Sequence, residues 1–211
     1  MYTNADFIRD CKTLFGDTEG NTVDIPGIGP TVLFEEPLIG FADAGDEIFE
    51  TFRRKEVVGP NYMAPAEWLT AARTVVSMFL PFSEAVRSSN RADKTDPSDE
   101  WLYARIEGQE FIGKYMETVK QCMEEHGIDA CVPSSDPLDP DARNYTGIDD
   151  YCVKCGVCAL NCPGKAISLR HGKNNIKCNK YVEAMKKKYS PRYGCGKCQV
   201  GVPCEFRKPG K

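Results

Sequence analysis

The chain has 211 residues, a formal net charge of −4 and eleven cysteines. That length suits one medium domain or two small ones and can bury a core without help from disulfides. With 41% hydrophobic and 27% charged residues the chain is neither disordered nor collagen-like, and its longest apolar run, 74–80, is far below the span of a bilayer helix.

Residues 5–15 read as an amphipathic helix with Phe7, Ile8, Cys11, Leu14 and Phe15 on one face, ended by Gly16. Residues 24–30 form a turn-rich connector. Its Gly27-Ile28-Gly29 lacks the strand-before, helix-after setting of a nucleotide loop. Extended segments are expected at 31–34 and 38–42, and a helix at 46–52. Pro65 opens a short helix over 65–72. It feeds 75–80, the best buried-strand candidate, which Pro81 stops.

Residues 88–97 are polar and read as a loop. Ser98 is the expected N-cap of a long helix over 99–126, with Asp99 and Glu100 at its positive end. Gly127 closes that helix, and 128–132 is expected to be a strand. Helix followed by strand argues for a layered α/β or α+β domain over 1–135. Residues 136–150, rich in Pro and Asp, read as a linker, and 151–211 as a second domain. Met1–Asp6 shows neither the basic region nor the apolar run of a signal peptide, so the chain is expected in the cytoplasm and off the membrane.

Charge divides along the same boundary. Residues 151–211 hold 14 basic and 2 acidic side chains, a balance of +12, whereas 1–150 carry −16. Eight of the eleven cysteines lie between Cys152 and Cys204, inside the basic region. Cys152-x2-Cys155-x2-Cys158-x3-Cys162-Pro163 has the spacing of bacterial [4Fe–4S] ligation, in which the fourth cysteine serves the other cluster. Thiolates two residues apart can wrap a cubane while backbone amides turn toward its sulfurs. Gly156, Val157 and Ala159 keep that approach close.

A stretched second set follows: Cys178, Cys195-x2-Cys198 and Cys204, with a helix expected at 181–189 inside the insertion. The crossed pattern assigns Cys152, Cys155, Cys158 and Cys204 to one cluster. Cys162, Cys178, Cys195 and Cys198 go to the other. Each cluster with its thiolates carries a net charge of about −2, which a basic envelope suits. The competing readings are a nucleic-acid patch and a zinc ribbon from Cys155, Cys158, Cys195 and Cys198. The ribbon leaves four cysteines unexplained. Cys11, Cys122 and Cys131 read as small core residues. His126 and His171 lack metal-ligand spacing to a partner.

Glu36-Pro37-Leu38-Ile39-Gly40-Phe41-Ala42, Gly59-Pro60-Asn61-Tyr62-Met63 and Glu67 to Ser77 resemble the N-terminal part of epoxyqueuosine-reductase-like iron–sulfur proteins. Tyr193 to Glu205 is similar to the end of a dicluster subgroup common in anaerobes. The resemblance implies a nitroreductase-like α/β (α+β) core, partial here, with a C-terminal ferredoxin-like domain carrying two [4Fe–4S] clusters. It also implies cobalamin in the fuller members and an electron donor such as ferredoxin or flavodoxin. Between 128–132 and the cluster motif this chain lacks the family's Gly-Leu-Gly element and proposed proton donor. The expectation is therefore an electron-transfer protein or reductase component with no catalytic residue assigned. The alternatives are a complete corrinoid-dependent reductase of a modified nucleoside or similar small molecule, and a non-redox protein with structural metal and a nucleic-acid-binding face.

Overall fold

The computed structural model describes residues 2–54, 59–60, 62–131, 151–207 and 209. The expected linker at 136–150 and Val132 lie outside these residues. The fold is mixed helix and small sheet, an α+β arrangement with three separate two-stranded antiparallel sheets among the described residues. Among the described residues no helix is long and apolar enough to cross a membrane.

The chain forms two compact units, each discontinuous in sequence. One comprises Met1–Thr18, Glu36–Leu80 and Gly113–Ile148, the other Glu19–Glu35, Pro81–Ile112 and Asp149–Lys211. The unit edge at 148/149 falls beside the expected start of the cysteine-rich domain. Residues 19–35 and 81–112, however, group with that segment and not with the remainder of 1–135.

In the first unit, α1 (Asn4–Asp17) starts at a Thr3 capping box: the Thr3 side chain accepts from the Asp6 N–H, and the Asp6 carboxylate accepts from the Thr3 N–H. Its apolar stripe buries Phe7, Cys11 and Phe15. Phe7 meets Phe41 edge-on at 5.8 Å, and Phe15 meets Tyr115 at 5.6 Å. Tyr115, Val119 and Met123 are buried on the C-terminal part of a long helix, and the Tyr115 hydroxyl donates to the Cys11 carbonyl oxygen at 2.9 Å.

Strands β3 (Leu38–Asp43) and β4 (Thr74–Phe79) pair antiparallel from Leu38↔Phe79 to Asp43↔Thr74. Short helices α2 (Ile48–Thr51) and α3 (Pro65–Trp68) lie on the connection, each shorter than its expected span. The β4 run is not the deeply buried strand its composition suggests. Only Thr74 is buried, and Ser77 and Phe79 are exposed, because the sheet has two strands and cannot cover both of its faces. Residues 128–131 follow the Gly127 turn without strand pairing, contrary to expectation.

The second unit begins with a hairpin that the sequence concealed in its turn-rich connector. β1 (Thr22–Ile25) and β2 (Gly29–Val32) pair around Pro26-Gly27-Ile28, with Gly27 at φ +80°. A three-residue hairpin loop needs a left-handed residue, which Gly27 supplies. The Asn21 side chain then brackets the Phe34 backbone, donating to its carbonyl at 3.0 Å and accepting its N–H at 2.9 Å. Phe34 stacks on Phe82 (5.1 Å) and Phe111 (5.9 Å), and Phe82 packs against Trp101 (4.6 Å).

Helix α4 (Glu84–Ala92), capped by Ser83, occupies part of the expected 88–97 loop. It was hidden because its buried side carries Arg87 and Asn90 beside Val86, so no apolar stripe shows. Helix α5 (Asp99–Glu125) runs as expected and supplies both units: through Ile112 to this one, and from Gly113 to the other. The cysteine segment adds α6 (Val157–Asn161), the minimal hairpin β5 (Ile167–Ser168) and β6 (Gly172–Lys173), and α7 (Asn175–Tyr189).

Candidate metal centre

All eight cysteines of the two motifs lie in the second unit. Cys152 and Cys155 are exposed on an irregular stretch, with Lys154 between them at φ +51°, that leads to Gly156, φ +79°, the N-cap of α6. Cys158 lies on α6, and Cys162 is buried at its C-terminal end. The backbone N–H of Ala166 donates to the Cys162 sulfur at 3.2 Å. Cys178 sits in the first turn of α7, where the Asn174 side chain caps the helix. The helix thus starts earlier than the expected 181–189 and carries this cysteine in its first turn.

Cys162, Cys178, Cys195 and Cys198 line one cavity of about 290 Å³. Burial pushes the Cys198 thiol up, Lys173 pulls it down, and the charges of Cys195, Cys162 and Cys178 push it up further. Burial likewise raises Cys195, with Cys162 and Cys178 adding to it against Lys197. The remaining four form a separate neighbourhood. Burial raises the Cys204 thiol, and the charges of Cys158, Cys152 and Cys155 raise it further. Thiolates so grouped repel one another until a polycationic core stands between them.

Among the described residues no three of the His, Cys, Asp and Glu side chains converge tightly enough to chelate a single metal ion. A cubane asks for something else: soft donors held apart, with the inorganic core between them. The cavity fits that demand on two counts. Its titratable lining is rich in thiols. Gly164, Gly194 and Gly196 bring bare backbone to its wall. Cys155 and Cys158, which a zinc ribbon would pair with Cys195 and Cys198, do not line this cavity.

The chain matches no protein-family model, no curated protein and no solved structure. The reading of the site therefore rests on its own chemistry.

Several residues that hold the cysteine loops in place were missed from sequence. Asn90, fully buried, donates to the Cys195 carbonyl oxygen at 3.2 Å and accepts from the Ser98 N–H at 3.2 Å. The buried Lys197 ammonium donates to the Asn90 carbonyl oxygen at 2.7 Å and to its Oδ1 at 3.1 Å. Glu205, the residue that stands where a proline follows Cys162, pairs with Arg87 at 3.3 Å and Arg91 at 3.2 Å. It also accepts the Gly201 N–H at 2.9 Å. The available signal was Arg87-x2-Asn90-Arg91, a polar row at helical spacing that runs into the stretch read as loop.

The other candidate residues stand apart from this site. Cys11 is buried in the first unit, and burial pushes its thiol up to about 12. Cys122 is half-buried there. His126 Nδ1 lies 2.8 Å from the Cys122 carbonyl oxygen, and its ring packs on Tyr2. Cys131 is also half-buried, and His171 is exposed on the β5–β6 turn.

Proposed function

We propose that this chain is an electron-transfer protein or reductase component carrying two [4Fe–4S] clusters in a ferredoxin-like module. The observation that carries the reading is the grouping of Cys162, Cys178, Cys195 and Cys198 around one cavity. That set takes its first member from the tight motif and the others from the stretched one, as crossed ligation requires. The mutual electrostatics of Cys204 with Cys152, Cys155 and Cys158 support a second group of four.

When bound, such clusters supply reversible one-electron chemistry. The chain's own part is to fix eight thiols, offer backbone N–H groups and surround the anionic centres with positive charge. Lys186, Lys187 and Lys188 end α7 and place that charge on one helix terminus. A basic surface of this kind suits an acidic donor of the ferredoxin or flavodoxin class, with docking that weakens as salt rises. The resemblance to epoxyqueuosine-reductase-like proteins belongs to the same proposal, as does a cytoplasmic setting in an anaerobe.

Anaerobic purification followed by iron, sulfide, cobalt and flavin analysis tests it. About eight iron and eight sulfide per chain are expected. Stoichiometric zinc without sulfide would remove the proposal, and stoichiometric cobalt would favour the corrinoid-dependent alternative.

A further inference from the structure

The two groups of thiols meet the surface differently. Cys152, Cys155 and Cys204 are exposed, whereas Cys162 is buried and Cys195 and Cys198 are half-buried. Electron tunnelling weakens steeply with distance. A protein partner therefore exchanges electrons most readily with the group that reaches the surface.

Three large apolar side chains stand in solvent around that outer group. Leu160 is 79% exposed, Leu169 58% and Val153 40%. Apolar residues scattered singly over a surface are ordinary, but these three gather at one turn. The Leu160 N–H donates to the Gly156 carbonyl oxygen at 3.0 Å. The Leu169 side chain lies beside Gly156, where a Cβ would stand 3.5 Å from its Cδ1. Val153 sits between Cys152 and Cys155, just before the same glycine. Helix α6 buries none of its side chains, so Leu160 serves no core.

The charge around this patch has one sign. Residues 151–182 contain no Asp or Glu and six Lys or Arg. All six are exposed, and among the described residues none makes an ion pair, unlike Lys188 and Arg192, which pair with Asp96 and Glu107. An apolar centre with a charged rim is the anatomy of a protein interface, and electron-transfer encounters use the smaller ones.

We propose that Val153, Leu160 and Leu169, with Lys154, Lys165 and Arg170, form the docking face for an acidic one-electron carrier protein. The electron crosses there between the partner and the cluster of Cys152, Cys155, Cys158 and Cys204. The inference rests on the two-cluster reading above. The partner's carboxylates meet the unpaired cations, its apolar surface covers the leucines, and the more enclosed cluster is reached through the outer one.

The probe is oxidised flavodoxin, mixed by stopped flow with the full chain after anaerobic purification, reduction by dithionite and removal of the excess. The flavin takes one electron from the reduced cluster and one proton from water, and its blue neutral semiquinone reports the transfer. Leu160→Ser should lower the second-order rate constant about tenfold. Reduction by dithionite itself should be unchanged, because so small an anion needs no docking face. Arg170→Glu and Lys187→Glu change the net charge equally, but Lys187 lies about three turns along α7 from the end that Asn174 ties to Ala166. Arg170→Glu should slow transfer severalfold more than Lys187→Glu at low salt, and the difference should fade as salt rises. A wild-type rate in Leu160→Ser, or equal slowing by the two charge reversals, overturns the inference and leaves the two-cluster reading intact. Wild-type protein without iron and sulfide removes both.

Carbodiimide cross-linking of the loaded wild-type chain to oxidised flavodoxin covers the case of a variant that fails to load clusters. Amide bonds to flavodoxin carboxylates should form at Lys154, Lys165 or Lys173. Bonds confined to Lys186, Lys187 and Lys188 overturn the inference. So does tight binding of a short single-stranded RNA that is lost in Arg170→Glu while flavodoxin transfer is unchanged, which would assign the face to nucleic acid.

Discussion

The Lys197 ammonium lies 2.7 Å from the backbone carbonyl oxygen of Asn90, with both residues buried. Desolvation pulls this lysine's pKa down, and Asn90 supplies two oxygens to the charge that remains. The contact ties helix α4 to the Cys195–Cys198 loop, and Asn90 adds a second tie through the Cys195 carbonyl. A buried cation between two cysteines of one motif is thus stabilised by a helix whose second half falls in the stretch expected as loop.

Asn90→Ala should therefore lower stability by about 2 kcal/mol, since it deletes one bond to a buried charge and leaves the Cys195 carbonyl without its amide. Urea unfolding of the full chain is the check. A lower midpoint at unchanged slope is expected, and an unchanged midpoint would show that the Asn90 side chain is replaceable.

Gly196→Ala should be far more damaging than Gly172→Ala, although both glycines have φ +65°. At Gly172 a Cβ meets nothing within 4 Å, so the cost is the left-handed backbone alone, about 1 kcal/mol. At Gly196 the new carbon collides with Trp101, and overpacking adds to the same backbone cost, about 3 kcal/mol in all. Paired thermal melts decide the matter: equal losses would mean that the Trp101 contact is not tight.

The two groups of thiols should fail separately. Cys162→Ala and Cys178→Ala, far apart in sequence, should each remove about four iron and the same spectroscopic signal. Cys204→Ala should remove the other signal, shared with Cys152, Cys155 and Cys158. Were Cys162→Ala to abolish the signal belonging to Cys155 instead, the ligation would be uncrossed.

Glu107 and Arg192 give a pH dependence with a definite sign. Arg192 donates to both carboxylate oxygens, at 2.6 and 2.7 Å, and this hydrogen bonding holds the Glu107 carboxyl below the usual glutamate range. A carboxyl lowered in the native state contributes stability above its unfolded pKa, about 4, that is lost as pH falls through the native value. Glu107→Gln should thus cost about 1 kcal/mol at neutral pH, and the difference from wild type should shrink toward pH 3. Melting curves across that range test it. A gap that stays constant with pH would assign the effect to packing.

How far the sequence spoke depended on whether each element announced itself through an apolar period. Helix α1 did, with Phe7, Cys11 and Phe15 on one face, and α5 did with Trp101, Phe111 and Tyr115. Helix α4 did not, because Asn90 and Arg87 take buried positions that a period search reserves for apolar residues. The β1–β2 hairpin was masked by its own turn, whose Pro26 and Gly27 outweighed strands of four residues. Cysteine spacing made the proposed ligand set legible. The residues that hold the loops, Asn90, Trp101 and Glu205, act across long separations in chain and carry no local pattern.

The three-part assembly of the second unit also bears on how the protein is made. Residues 19–35 and 81–112 leave the ribosome before any cysteine of the two motifs. During synthesis Phe34, Phe82 and Trp101 must wait, apolar and uncovered, for the Gly194–Gly196 loop that packs on the indole. The packing of Trp101 in this unit is consequently completed only once residues 194–196 have been made.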